Sequence, residues 1–465
     1  MEVTPGCKIA IIGGGISGLT TAFYIERLLK KADKIPAISI FEKDNEIGGK
    51  LRTKKLGDLT IEVGPDSIST RRIAVSELID NLDLRDQILL PRLRTFSILI
   101  NGKVKLIPLE LLAPFPKNIL ALLKSDLVSF LSKIRAACGA GYSLLFGDSI
   151  FHQREKSSLS QFLRNKWGNE LSTTVMEPLF GGLYGGDPEI LSSKILTSER
   201  GFDSKLPPYI AFKNGIGVLP NQIVNKLNYS KIYTKSSIAS LANEDGSFSI
   251  KGDNLSERFD VCILAVDSTA ASKLLTSVSS ELSAKLAKID CSPATIVTLH
   301  FPTTTQITND PGSGVIIPAN QSKLIRGITI SSRKWAFRAP DNSLLIRAFG
   351  RQGELEKLSK DAAISGTIDE VRSILGIAEL PELAEIDSWQ EGSPIYSLDH
   401  SHIIEGIKSD LEQVPNLYIL GPFIDGPGVG DCIDKGSNLA KKIVSKILNS
   451  SRQTANDSNL VYTFG

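Results

Sequence analysis

The alternation of apolar and polar positions changes period early in the chain. KIAII (8–12) is an unbroken, β-branched apolar run, which suits a strand covered on both faces. Beyond it, Leu19, Ala22, Phe23 and Ile25 recur at helical steps, so the strand feeds a helix. AISIFEKD (37–44) predicts a second strand. LYIL near 417–420 predicts a late one, followed by a helix that carries Ala440, Ile443 and Ile447. Within 215–290, GIGVLPNQIVNKL reads as a helix and RFDVCILAVDSTAASKLL as a strand followed by a helix. ATIVTLHF (294–301) and SLLIRAFG (343–350) predict strands of another sheet. Across 106–151, Leu120, Leu123, Leu127 and Leu131 recur at helical steps, with Lys117, Lys124, Lys133 and Arg135 between them. The expected fold class is α/β, with a Rossmann-like unit.

The residues between the first strand and its helix carry the first candidate chemistry. Gly13, Gly15 and Gly18 fit G-x-G-x-x-G. The first glycine permits the tight turn, the second lets a pyrophosphate approach the backbone, and the third lets helix and strand pack closely. The helix N-terminus then faces the phosphates. Glu42 closes the second strand a little over twenty residues later. Its carboxylate can accept hydrogen bonds from ribose hydroxyls and disfavours a 2′-phosphate. The candidate contacts of this unit are Gly13, Gly14, Gly15, Ile16, Ser17, Gly18, Glu42 and Lys43.

NEIGGKLRT (45–53) follows at once, with paired glycines for close backbone approach. Lys50 or Arg52 can reach phosphate or substrate there; a β-turn with solvated bases is the alternative. In IEVGPDSIST (61–70), Gly64, Pro65, Asp66 and Ser67 can run against a cofactor ring. Gly426, Gly428, Val429 and Gly430 open the late helix and offer further backbone N–H groups. Pieces at opposite ends of the chain imply a discontinuous cofactor domain.

Composition narrows the function classes. The chain has 465 residues, enough for two or three domains. A net charge of +2 gives no reason to expect nucleic acid. Five scattered cysteines without a CxxC pair argue against a zinc cage or disulfide framework and for a reducing compartment. His400 and His402, at a spacing that suits one strand face, lack a nearby third ligand, so no metal is expected. No signal-peptide pattern and no 18-residue apolar run occur, so the expected location is cytoplasmic. The basic helical stretch at 106–151 has two readings: packing within a helical subdomain, or peripheral contact with the inner face of the cell membrane.

GGGISGLTTAFYIE, GGKLRT, EVGPDS, EPLFGGLYGGDPEILS (177–192) and GVGDCIDKG, in this order, resemble the flavoprotein amine oxidase superfamily. Within it the chain is most similar to the oxygen-dependent porphyrinogen oxidases of Gram-positive type. EPLFGGLYGGDPEILS is the discriminating stretch. The resemblance implies an FAD domain from 1–67, 215–290 and 400–450. It implies a mixed-sheet substrate domain from 68–105, 200–214 and 291–399, a helical domain at 106–199 and a loose tail at 451–465. It implies FAD as cofactor, O2 as acceptor, H2O2 as product and coproporphyrinogen III as substrate. Protoporphyrinogen IX is the first alternative and an amine the second. A ferrochelatase-type enzyme is the expected downstream partner.

No catalytic side chain is expected, because the flavin carries the hydride. By the same resemblance Ile238 lies against the adenine and Trp389 beside the flavin; an ordinary strand residue and a core aromatic are the alternatives. Arg72 aligns with a basic residue that faces the substrate, and Arg71 adjoins it; each reads equally well as a solvated arginine. Arg347, on a candidate floor strand, is a further candidate for a substrate carboxylate. One departure is the short segment DSKLPPYIAFKNGIGVLPNQIV (203–224), where the family often carries a longer insertion.

Overall fold

A computed structural model describes residues 7–108, 119–146, 157–197, 206–252 and 255–461. The first strand, Lys8–Ile12, is the centre of a five-stranded sheet ordered Lys231–Tyr233, Ala37–Phe41, Lys8–Ile12, Val261–Leu264, Leu417–Ile419. All its pairings are parallel. Both faces are covered, which is why KIAII shows no alternation. Ile9 and Ile11 pack on one side with Leu19, Ala22 and Ile25 of helix Ile16–Lys31 and with Ile433, Ala440 and Ile443 of helix Val429–Val461. Ala10 and Ile12 pack on the other side with helices Ser268–Leu275, Ser280–Leu286 and His400–Leu411. An antiparallel sheet of Ile238–Glu244, Ser247–Gly252 and Leu255–Phe259 adds to that layer. Each fully buried isoleucine contributes about 1.5–3 kcal/mol.

A second sheet has seven strands, ordered Leu383–Pro394, Cys291–Phe301, Leu344–Gly350, Ile325–Ile330, Gly314–Ile316, Phe96–Ile100, Lys103–Ile107. One face buries Val297, Leu299, Ile346 and Ala348 beneath Ala363, Val371 and Leu375 of helix Lys360–Leu375. A helical layer, including Leu159–Trp167 and Glu177–Tyr184, has its own core around Phe162, Trp167 and Phe180.

Three local readings are corrected, and the extent of the last helix is added. Leu106 and Ile107 belong to strand Lys103–Ile107, not to a helix. Asn101 and Gly102 precede it, both at positive φ (51° and 70°), and Asn-Gly in that conformation is a two-residue hairpin turn. The leucine series is not one stripe: helix stops at Lys124 and resumes at Phe130, so Leu127 is buried while Leu131 is 77% exposed. Lys117 lies outside the described residues, as do residues 203–205 of the shortened segment. His400 and His402 start a helix, where a two-residue step turns them to different sides; His400 packs its ring 4.8 Å from Tyr396, and His402 is exposed. The last helix runs to Val461, so eleven residues of the expected tail at 451–465 are helical, because an established helix extends at little cost.

Gly18 sets how closely the first helix meets the sheet. A Cβ there would lie 2.2 Å from the Gly13 carbonyl oxygen and 3.0 Å from Ile11 Cγ2. Gly18→Val therefore has to lift the helix off the strand. The expected loss is about 3 kcal/mol or more, read as insoluble protein or a melting temperature lowered by roughly 10 °C.

Candidate functional site

A chamber of about 2120 Å³ lies between the two large sheets. A pocket for one small ligand measures roughly 300–1,000 Å³, so this one has room for a cofactor and a large substrate together. Its wall runs from the glycine turn and the end of the second strand, past 48–56 and 63–67, to the floor strands and helix Glu177–Tyr184.

The three glycines of the turn do different things. Gly13 has φ 111°, and a Cβ on it would meet the Ala265 carbonyl oxygen at 2.3 Å. Gly15 has no atom within 4 Å of its Cβ position and lines the chamber, so a side chain there would enter ligand space. It is also the N-cap of helix Ile16–Lys31 with no side-chain cap, which leaves first-turn N–H groups for an anion; Ile16 and Ser17 line the chamber beside it. Gly14 sits behind the wall, and its N–H donates to Glu42 Oε2 at 2.8 Å. Asp44 N–H donates to Glu42 Oε1 at 2.9 Å. Both bonds fix the carboxylate at the chamber edge, where Lys43 stands exposed.

The second and third segments cross each other. A Cβ on Gly64 would lie 2.0 Å from the Lys50 carbonyl oxygen, so only glycine allows the crossing. Lys50 Nζ donates to the Gly392 carbonyl at 2.9 Å, and burial pushes its pKa down. Arg52 pairs with Asp44 at 2.6 Å and lies 5.6 Å above the Trp389 ring. The Trp389 indole N–H donates to the Val63 carbonyl at 2.9 Å, which holds the ring in the wall.

Asp66 is the most heavily bonded group of the wall. It accepts from Lys334 Nζ at 2.9 Å and from the Trp335 indole N–H at 3.1 Å, and Arg347 stands 4.0 Å away. Ser67 Oγ donates to its other oxygen at 3.0 Å, and Pro65 and Ser67 line the chamber. Burial alone would raise the Asp66 carboxyl, but the cations of Lys334 and Arg347 outweigh it and hold the group well below the usual carboxylate range. Arg347, fully buried, also donates to the Gly64 carbonyl. Its guanidinium reaches the chamber yet is engaged with the 64–66 loop.

Of the two neighbouring arginines, Arg71 lines the chamber, while Arg72 turns to Asp431 at 2.7 Å and is not part of the wall. Ile238 lines the chamber at the start of its strand, next to Ser236 and Ser237. Val429 lines it at the other end. Gly428 N–H is held by Asp431 Oδ2 at 3.1 Å, and Gly430 packs against the Ser69 carbonyl. Lys334, Trp335, Arg326 and Tyr396 also face the chamber, and sequence reading missed them. Lys334 and Trp335 lie in a short helical turn, Ser331–Lys334 and its cap, whose period gave no signal. Cys291 and Cys432 line the wall too; burial pushes each thiol up to about 12, so neither is a thiolate at neutral pH.

An open Gly15, an uncapped helix start, a carboxylate fixed at the chamber edge and a chamber reaching a second sheet define the class: a dinucleotide-binding fold with a large cavity beside its glycine turn. The chain belongs to the flavin-containing amine oxidoreductase family, whose pattern matches residues 16–443. It is 27% identical to the coproporphyrinogen III oxidase of Bacillus subtilis, over 92% of this chain and 96% of that one. It is 22% identical to a protoporphyrinogen oxidase of Arabidopsis thaliana, over 96% and 95%. A solved structure from Exiguobacterium, provisionally assigned as a protoporphyrinogen oxidase, shares the fold with a TM-score of 0.83 at 24% identity, covering 96% of this chain and all of that one.

Two outcomes test the wall. Gly15→Val should fold, with a melting temperature close to that of the apoprotein, and purify without the visible absorption of flavin. Asp66→Asn leaves Lys334 and Arg347 buried without their counter-charge and should cost roughly 3–5 kcal/mol in denaturant unfolding. The Asp66 pKa is lower folded than unfolded, so its contribution is present above the unfolded value of 3.8 and disappears as pH falls below it. The wild type should lose this stability on acidification, and Asp66→Asn should show a flatter acid limb.

Proposed function

We propose that the protein is an FAD-dependent oxidase that converts coproporphyrinogen III to coproporphyrin III. Three molecules of O2 are reduced to three of H2O2 as six electrons and six protons leave the substrate. The observation that carries this reading is the single chamber joining the nucleotide turn to a floor with buried cations, large enough for both a cofactor and a tetrapyrrole. The similarity to the Bacillus subtilis enzyme along nearly all of both chains supports it. The Arabidopsis relative supports protoporphyrinogen IX as the second substrate reading.

A bound flavin supplies acceptance of a hydride and return of the electron pair to O2. Gly13, Gly15 and the start of helix Ile16–Lys31 would hold the pyrophosphate, with Gly18 keeping that helix close to the strand, Glu42 would hold the ribose, and Ile238 would lie along the adenine. Trp389, Lys50 and the 64–67 loop border the ring. Arg347, with Lys334, acts through Asp66 and Gly64 to keep that loop in place. Arg71 offers a cation to a substrate propionate. The apolar wall excludes water from the reacting bridge carbon, and the pyrrole nitrogens of the substrate itself stabilise the cation that hydride loss leaves.

Among the described residues no helix is long and apolar enough to cross a membrane. Phe130 and Leu131, 73% and 77% exposed beside Ile134, support a peripheral contact of the helical layer with the inner membrane face of a cytoplasmic protein. The metal-free porphyrin product suits transfer to a ferrochelatase-type enzyme.

The purified flavoprotein should be reduced when mixed anaerobically with coproporphyrinogen III. In air it should release porphyrin fluorescence and peroxide at one to three. A higher kcat/KM for protoporphyrinogen IX would reverse the substrate order, and turnover of benzylamine or putrescine instead would overturn the reading.

A further inference from the structure

The chamber floor contains one arginine whose surroundings differ from those of its neighbours. Arg326 lies on strand Ile325–Ile330 where pairing with Leu344–Gly350 skips a residue: Ile325 faces Gly350 and Gly327 faces Phe349. A bulge of this kind redirects a side chain out of the regular alternation. Ile325, Ile328 and Ile330 go into the core beneath helix Lys360–Leu375, and Arg326 lines the chamber.

The two arginines at the neighbouring strand, Arg347 and Arg351, are engaged. Arg347 is bound to the 64–66 loop. Arg351 gives its N–H groups to the carbonyls of Ile317, Pro318, Ser322 and Ile325. Among the described residues the Arg326 guanidinium has neither a hydrogen bond nor an ion pair. Burial, and then the neighbouring Arg351, push its pKa down, and Glu356 offsets only part of this. Glu356 itself is bonded to Thr295. On the opposite side, Arg326 Nη1 lies 3.8 Å from the Cβ position of Gly185, the left-handed cap of helix Glu177–Tyr184. The guanidinium is thus set between the floor and the end of the EPLFGGLYGG helix, half-buried and without a hydrogen-bonded counter-charge. Such a group is costly to leave unsatisfied, and its planar fork of donors matches a carboxylate.

We propose that Arg326 is the anchor for a substrate carboxylate, fixing which propionate-bearing edge of the tetrapyrrole rests on the floor. This rests on the porphyrinogen reading above. It makes the bulge at Ile325–Gly327 a specificity device, and it separates substrates by the number and placement of their propionates.

The test measures the affinity of the flavin-loaded protein for coproporphyrin III, a tetra-acid, and for its tetramethyl ester, by quenching of porphyrin fluorescence. The wild type should bind the acid about 10- to 100-fold more tightly than the ester. Arg326→Gln should weaken acid binding by a similar factor, leave the ester unchanged and retain the flavin band; Arg326→Lys should recover part of the loss. Equal wild-type affinity for acid and ester would overturn the anchor while leaving the porphyrinogen reading intact, and it needs no variant to fold. Unchanged acid affinity in Arg326→Gln would do the same. A wild type that binds neither porphyrin would overturn both.

Discussion

A buried carboxylate is the most heavily charged of the joints between two sheets that have no backbone pairing with each other. Asp66 leaves the nucleotide half on the 61–70 segment and meets Lys334, Trp335 and Arg347 from the seven-stranded half. Each of those charges would be expensive in a dry interior; together they offset one another. Arg347 adds a bond to the Gly64 carbonyl, so the same cluster fixes the loop that lines the chamber at 64–67. Gly64 can approach Lys50 only because it lacks a side chain. Electrostatic pairing and steric absence thus act on adjacent residues to hold one wall.

Around that joint, charge is distributed by partner rather than by sign. Lys50, Arg52, Arg72 and Arg347 all come from motifs that suggest ligand contact, yet each has a protein partner: Gly392, Asp44, Asp431 and the 64–66 loop. Their effect on a ligand is to shape the wall. Arg326 and Arg71 line the same chamber as Lys50, Arg52 and Arg347.

What the sequence disclosed follows from the range of the forces involved. KIAII, the glycine turn and Glu42 form a local unit whose periodicity and turn chemistry are complete within 8–42, and the structure builds the parallel sheet on it. ATIVTLHF and SLLIRAFG announced strands in the same way. The roles of Arg72 and Arg347 were opaque because their partners, Asp431 and Asp66, are about 360 and 280 positions away in sequence. Arg326 was silent because a bulge breaks the alternation that periodicity reads. His400 and His402 misled because a two-residue step has strand meaning only in a strand. Asn101-Gly102 was a legible hairpin signal, hidden by the leucine spacing downstream.

The central strand Lys8–Ile12 finds one neighbour at 37–41, the next at 261–264, and the sheet closes with 417–419. Helix Val429–Val461 then lies over the same face as the first helix. A growing polypeptide emerges from the ribosome in order, so the glycine turn is made more than 400 residues before the last wall of its own compartment. Completion of the chamber is in that sense a post-translational event, and the nascent glycine turn spends most of synthesis with one edge of its sheet unpaired.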